Sequence, residues 1–273
     1  MGRGVAATMT LLHAILLWLA AFAGGMLNSI AGGGTLVSFP ALLWHGIAPI
    51  EANATNALAL WPGSLTSAWG YRAEIRSGGR RYLVLMIPSL VGALLGAVLL
   101  RKTPAPLFAQ LVPFLILFAT LLFAVQGPLQ RWLRRPLWRS LPPSTVSSSV
   151  APHLGLTGAV GFQFAAATYG GYFGAGMGIV MLANLALIGL TDIHQMNGLK
   201  NIFGFVINFA AALYFIHAGL VHWPEALVMM AGALAGGYAS TGVARRLGRE
   251  FARRAVIVIG LVIAISLFVR RWA

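Results

Sequence analysis

The chain is a succession of long apolar segments separated by short basic ones, and this pattern decides what it can fold into. Of its 273 residues, 59% are hydrophobic and only 9% are charged, whereas about 25% of the residues are charged in an average soluble domain. So few charged side chains cannot cover the surface of a soluble enzyme or of a nucleic-acid-binding domain. The sequence therefore predicts an all-α, polytopic membrane protein that contacts the lipid bilayer and has no nucleic-acid partner.

Two copies of one unit make up the chain. We interpret a basic stretch rich in Pro and Ser, residues 127–153, as a cytoplasmic linker between a first copy, 1–126, and a second copy, 154–273. Matching residues recur at a constant offset of 144 positions, which indicates an internal repeat. The matched pairs are Gly32 and Gly176, Gly34 and Gly178, Asn53 and Asn197, Gly92 and Gly236, and Arg101 and Arg245.

Each copy is predicted to be a helical hairpin broken by glycines, followed by three transmembrane helices. The hairpins are expected at about 11–47 and 154–190, because the second apolar run of each is too short to cross a bilayer alone. The first run also permits a signal peptide cleaved after Ala23, but the matching run of the second copy is internal, which favours the hairpin. The other spans are expected at residues 52–71, 82–100, 107–125, 193–216, 226–244 and 255–269.

Arginines predict how the two copies are oriented. The loop at 72–81 is basic, whereas the matching loop of the second copy, 217–224, contains no Arg or Lys. The next loop shows the reverse weighting, because 245–254 holds five arginines and its counterpart holds only Arg101 and Lys102. Since basic loops stay in the cytoplasm, the two copies are predicted to be inverted relative to each other. Residues 72–81, 127–152 and 245–254 would be cytoplasmic, and both termini would lie on the outer side.

Two glycine-rich breaks, at residues 31–35 and 170–178, lie within apolar sequence. Irregular backbone at membrane depth must be buried in protein or line a cavity, so the breaks predict a shared central cavity. Helices that begin near Thr35 and Gly178 would direct N–H groups and the positive end of the helix dipole into this cavity. The alternative is that the glycines only allow close helix packing. Two breaks at one repeat offset favour an anion site.

Charged side chains in and around the spans also indicate a negatively charged ligand. Lys200 is the only Lys or Arg well inside an apolar span, and a cation at this depth indicates a functional site. The alternative is that its ammonium group snorkels to the cytoplasmic interface. None of the five acidic residues lies in mid-span, which disfavours a cationic substrate.

The sequence offers little for other chemistry. There is no Cys, and no pair of His residues has the spacing of zinc ligands beside a carboxylate, so no metal and no cofactor are expected. No motif combines a nucleophile with a base; we expect no catalytic residue and predict that the chain is not an enzyme. His194 is the candidate for proton coupling, because it lies two to three residues from Asn197.

The residues around the breaks resemble a known family. Residues 25–40, which read GMLNSIAGGGTLVSFP, and residues 46–49 and 52–56 resemble the signature of the sulfite exporter TauE/SafE family. Residues 170–178 and 197–201 resemble its second half. The resemblance implies secondary transport of small sulfur-containing anions, such as sulfite, sulfoacetate or other organosulfonates, often as export across the bacterial inner membrane. The second copy departs from the first, since Asn184 stands where the offset places Pro40, so the two breaks need not bind a ligand equivalently.

Together these features predict an alternating-access transporter with an anion held between the two breaks. An anion channel of the same architecture, a non-transporting scaffold subunit and a homodimer all remain open. The predicted substrate-binding residues are Asn28, Gly32, Gly33, Gly34, Thr35, Asn53, Thr55, Asn56, Gly176, Gly178, Asn197, Lys200 and Asn201.

Overall fold

The protein is helical throughout the part of the chain that the structure describes. This computed structural model describes residues 10–30, 32–72, 76, 80–133, 156–190, 192–247 and 249–272, and these residues contain no strand. Among the described residues, a 3₁₀ helix, Arg80–Leu85, precedes the fourth of ten α-helices. The helices are α1 (Leu11–Ile30), α2 (Thr35–Trp44), α3 (Pro49–Gly70), α4 (Met86–Lys102), α5 (Ala105–Leu133), α6 (Leu156–Tyr172), α7 (Met177–Leu187), α8 (Ile193–His217), α9 (Trp223–Leu247) and α10 (Arg249–Trp272).

The all-α architecture expected from the apolar runs is confirmed. In each half, a long helix is followed by a short one, α2 with 10 residues or α7 with 11, and then by three long helices. Within the described part of the chain, four helices are long and apolar enough to cross a membrane by length and composition, and they correspond to α1, α4, α5 and α8. Large apolar side chains such as Ile87, Phe114 and Val262 are exposed on the outside of the bundle, where a bilayer would cover them.

Some helices extend beyond the apolar segments that predicted them. α5 continues to Leu133 and therefore includes the start of the predicted linker, while α10 begins at Arg249 rather than at 255. Hydropathy marks only the apolar part of a helix, whereas Leu, Gln, Arg and Glu continue a helical backbone readily into the polar region. The rest of the linker, residues 134–153, lies outside the described residues, as do residues 154–155 and Ala31 in the first break.

Each hairpin packs against a helix of the other half. α1 lies along α9, and α6 lies along α4. Glycines bring the backbones together: Gly236 lies against the carbonyl oxygen of Phe22, and Gly96 against that of Thr168. Such small-residue contacts are typical of helix association in membranes, where packing replaces the hydrophobic effect. The two halves are therefore interlocked and do not form separate bundles.

The matching helices α3 and α8 run in opposite directions where they touch. The ring of Trp61 contacts the rings of Phe205 and Phe209, whereas Ser64, further along α3, lies beside Gly204, earlier on α8. Matching helices of two inverted copies must run antiparallel at their contact, because the axis that relates them lies in the membrane plane. The direction of this contact supports the predicted inversion.

Gly96→Ala should destabilise the protein by about 1–3 kcal/mol, because overpacking a tight contact forces the backbone to shift. Its new Cβ would meet the backbone of Thr168, Gly171 and Tyr172, so α4 and α6 would have to separate. The measurement is the midpoint of thermal unfolding in detergent.

The matched control is Gly161→Ala on α6, where a Cβ would have nothing within 4 Å. This substitution should be neutral or should stabilise by about 0.5–1 kcal/mol through helix propensity. Equal stability of the two variants would contradict the close approach of α4 and α6.

Candidate functional site

The two glycine-rich breaks meet inside the bundle. α1 ends at the first break, where the N–H of Gly32 donates to the carbonyl oxygens of Leu27 and Asn28 at 3.1 and 3.0 Å. Gly32 has a φ of 83°, a conformation that glycine adopts without strain. A Cβ on Gly32 would lie 2.7 Å from the Cα of Gly178 at the start of α7. The tips of the two hairpins are thus in backbone contact.

Lys200 joins the second half of the chain to the end of α1. Its side chain is buried, with 3% of the residue exposed, and its Nζ donates to the carbonyl oxygens of Ser29 at 2.9 Å and Asn28 at 3.1 Å. These carbonyls belong to the last turn of α1, at the negative end of the helix dipole, and the carbonyl of Asn28 also accepts from the N–H of Gly32. Lys200 therefore points into the protein, and the structure does not support snorkelling to the interface.

Asn53 makes the corresponding contact in the other half. Its Nδ2 donates to the carbonyl oxygen of Tyr172 at 3.1 Å, and Tyr172 is the last residue of α6. Tyr172 also stands at the repeat position of Asn28. At the end of both α1 and α6, backbone carbonyl oxygens thus accept a hydrogen bond from a side chain on the third helix of the opposite half. The donor is an ammonium group at one end and a neutral amide at the other, so only the end of α1 receives a positive charge.

A small cavity adjoins Lys200 at the contact between the tips. Its volume is about 10 Å³, which is room for about one water molecule. A larger ligand does not fit unless the cavity opens. Its lining residues are Asn28, Gly32, Ser64, Met177, Gly178, Met181, Lys200, Asn201 and Gly204.

Two side-chain amide donors, those of Asn28 and Asn201, belong to the cavity lining. Asn28 Nδ2 donates to Ser64 Oγ at 3.3 Å. The Nδ2 of Asn201 is buried and has no hydrogen-bond partner among the described residues. A buried donor without an acceptor costs about 1–3 kcal/mol. An acceptor in the cavity, whether water or an anion oxygen, would remove this cost.

Five of the predicted substrate-binding residues line this cavity, and eight do not. Asn56 and Thr35 hold α2 against α3, since Asn56 Nδ2 donates to Thr35 Oγ1 at 3.4 Å and Ser38 Oγ donates to Asn56 Oδ1. Thr55 Oγ1 accepts the N–H of His222 at 3.0 Å, outside the cavity. The five are Asn28, Gly32, Gly178, Lys200 and Asn201.

The remaining predicted residues lie around the tips. Gly33 faces the ring of Phe123, and Gly34 faces the backbone of Gly24, so both permit close packing. Gly176, with a φ of 77°, precedes α7. Asn197 is buried, and its Oδ1 has no hydrogen-bond partner among the described residues.

Four lining residues were not predicted from the sequence. Ser64 had a usable signal, because it lies in mid-helix two i,i+4 steps from Asn56 and so shares a helix face with it. Gly204 lies on α8 beside Ser64 of α3, and a single glycine in an apolar helix gives no signal of a cavity. Met177 and Met181 had no signal, since a flexible apolar side chain in an apolar helix looks like any core residue.

His194, the predicted proton-coupling residue, lies away from the cavity. It is exposed at the start of α8, where its N–H donates to the side chain of Asp192 at 2.8 Å. Its ring centroid is 6.4 Å from that of Tyr71. The contacts of His194 are those of a helix N-terminus.

Comparison with known proteins places the chain in a family. The model of the family described as "Sulfite exporter TauE/SafE" matches residues 17–267, a range that includes both hairpins and the cavity. No solved structure matches the chain.

Three similar proteins carry names that agree with this family. A "Probable membrane transporter protein" of Haemophilus influenzae is 28% identical over 244 residues, which cover 89% of each chain. "Probable membrane transporter protein ORF9" of Sinorhizobium sp is 25% identical over 92% of this chain and 90% of its own. "Probable membrane transporter protein YfcA" of Escherichia coli K12 is 27% identical over 92% of this chain and 88% of its own. The chain belongs to the sulfite exporter TauE/SafE family of membrane transporters.

Proposed function

We propose that this protein is a secondary transporter of small sulfur-containing anions, such as sulfite, sulfoacetate or other organosulfonates. It moves them by alternating access across the bacterial inner membrane, in the direction of export. The observation that carries this proposal is the buried ammonium of Lys200 beside the partnerless amide donor of Asn201, at the contact between the two hairpin tips.

The groups at the cavity favour an anion with several oxygens. None of the acidic residues lines it, and Lys200 and Asn201 bring N–H donors to it, while the amide donor of Asn28 is bonded to Ser64. A sulfite or sulfonate group presents oxygens in a pyramidal or tetrahedral arrangement, so several converging donors can replace its lost water. Hydrogen bonds to a charged partner are about twice as strong as neutral ones. Lys200 would exchange its carbonyl partners at the end of α1 for the anion.

The closed cavity favours a carrier over a channel. With room for about one water, it cannot admit an organosulfonate until Gly32 and Gly178 separate. In alternating access, one end opens while the other stays closed, and inverted copies supply the two equivalent openings. The antiparallel contact of α3 with α8 supports this arrangement.

The proposal includes which loops and helix ends face each side of the membrane. Residues 72–81, 127–152 and 245–254 lie in the cytoplasm, and both termini lie in the periplasm, because the arginines concentrate in these loops. The ends of α1 and α2 away from the tips then face the periplasm. The corresponding ends of α6 and α7 face the cytoplasm.

Lys200→Met should weaken anion binding by at least about tenfold, because a hydrogen bond to a charged group contributes about 1.5–3 kcal/mol. Binding of sulfite, sulfoacetate and taurine to the purified protein in detergent measures this. Lys102→Met is the matched control, since Lys102 is the chain's other lysine and is exposed at the end of α4.

Thermal unfolding without anion separates a binding defect from misfolding, because Lys200 also holds the end of α1. Unchanged affinity in a folded Lys200→Met protein would overturn the proposed role of Lys200. Equal losses in both lysine variants would indicate a general charge effect and would also contradict it.

Flux in proteoliposomes should saturate with anion concentration and should show counterflow. Both follow from a site that opens to one side at a time, whereas an open pore gives neither. Uptake of radiolabelled sulfoacetate into vesicles preloaded with unlabelled sulfoacetate measures counterflow. Linear flux without counterflow would favour a channel, and no flux of any of the three anions would favour a scaffold subunit.

A further inference from the structure

A buried ion pair lies at the end of the bundle opposite the first hairpin tip. His45 caps the C-terminus of α2, and Glu225 lies in the first turn of α9. His45 Nε2 and Glu225 Oε1 are 3.3 Å apart, and the two side chains are only 5% and 9% exposed. The pair therefore fastens α2 to α9 at the end that the predicted topology places in the periplasm.

The pair has spare hydrogen-bonding capacity. His45 Nδ1 and Glu225 Oε2 are buried and have no partner among the described residues. With one proton between them, an imidazolium and a carboxylate form a neutral pair. Without that proton, the buried pair would carry one net negative charge, which is costly in a low-dielectric interior unless it is compensated.

Other titratable groups lie on the elements around the pair. The exposed ring of His13 on α1 meets the ring of His45 edge-on, with centroids 4.8 Å apart. His222, just before α9, and Glu51 on α3 are 2.6 Å apart and 40% and 42% exposed. His217 is exposed at the end of α8. Of these groups, His13 is the one with a described contact to the pair, and its exposed ring links His45 to the aqueous side.

Both helices that hold the pair also reach the candidate anion site. α2 runs from His45 back to Thr35 beside the first tip, a length of about 15 Å at 1.5 Å per residue. On α9, Ser240 Oγ donates to Ser29 Oγ at 2.7 Å, and Ser29 is the residue whose carbonyl accepts from Lys200. Separation of α2 from α9 at the His45 end would therefore act on the contacts of Lys200.

We propose that His45 and Glu225 form a proton-binding site that holds the periplasmic end of the transporter closed. We call this end, where α2 meets α9, the outer end, and we call the protonated pair the latch. Closing the outer end takes up one proton from the periplasm, and opening it releases that proton. The inference rests on the proposed function, because a gate is meaningful only in a protein that transports. The site has no counterpart in the other half, where the repeat positions hold Gly189 and Arg81.

Cysteine accessibility tests the latch directly, because the chain has no native Cys. Ala226, next to Glu225, is 0% exposed, so the thiol of Ala226→Cys can react with an impermeant maleimide only when the outer end opens. Ala48→Cys, in the exposed turn before α3, is the matched control and reports how ionisation of a free thiol alone changes the rate. The quantity measured is the ratio of the two labelling rates as external pH changes.

The ratio should be flat at acidic external pH, where the pair keeps its proton whether the outer end is open or closed. At higher external pH, opening releases the proton, so the ratio should rise by up to about tenfold per pH unit. Glu225→Gln and His45→Gln should each abolish this rise. Glu51→Gln, in the half-exposed neighbouring pair, should leave it intact.

The outcomes separate the latch from the transport proposal. If the labelling ratio does not depend on pH when His45 and Glu225 are both intact, the latch is overturned. This outcome does not require that Glu225→Gln or His45→Gln folds. A rise that survives both pair variants also overturns it, and anion flux then still stands by itself. A rise that both variants abolish, in a protein with no flux of sulfite, sulfoacetate or taurine, supports the proton site and overturns the transport function.

Discussion

Two helices of this protein end inside the bundle, and their terminal carbonyl groups must find donors without water. An unpaired carbonyl in hydrocarbon costs several kcal/mol, and since the N–H of Gly32 reaches Leu27 and Asn28 alone, other parts of the chain supply further donors. Lys200 supplies them to α1, and Asn53 supplies one to α6. Each donor comes from the opposite half, and this exchange explains why the halves interlock and why the tips meet at Gly32 and Gly178.

The architecture repeats, but the chemistry does not. The end of α6 receives a neutral amide, while the end of α1 receives the ammonium of Lys200. Asn201, whose donor is unsatisfied, corresponds to Ala57 in the first half. The small cavity lies beside Lys200. In the proposed carrier, the repeated helices would supply two equivalent openings, and the unequal side chains would place one positive charge between them.

The sequence predicted the features that depend on local pattern and left out those that depend on contacts between distant segments. The start of α2 at Thr35 follows from a glycine break before an apolar run, and the inward position of Lys200 was one of two alternatives. Asn53 and Thr55 were predicted to bind substrate because they are polar residues in a span. Their observed partners, Tyr172 and His222, belong to the other half. Only the packing of the halves determines which polar groups are already satisfied.

The pairing of His45 with Glu225 had no local signal, since each looks like an ordinary residue at a helix end. The extent of α5 was underestimated for a related reason, because apolarity predicts the membrane-embedded part and helix propensity continues beyond it.

A structure of the protein with bound sulfoacetate tests the central claim most directly. We expect anion oxygens about 2.7–2.9 Å from Lys200 Nζ and at similar hydrogen-bonding distance from Asn201 Nδ2. We also expect the tips at Gly32 and Gly178 to have separated enough to admit the anion. An anion bound elsewhere, with Lys200 still on the carbonyls of Asn28 and Ser29 and the tips in contact, would contradict the claim.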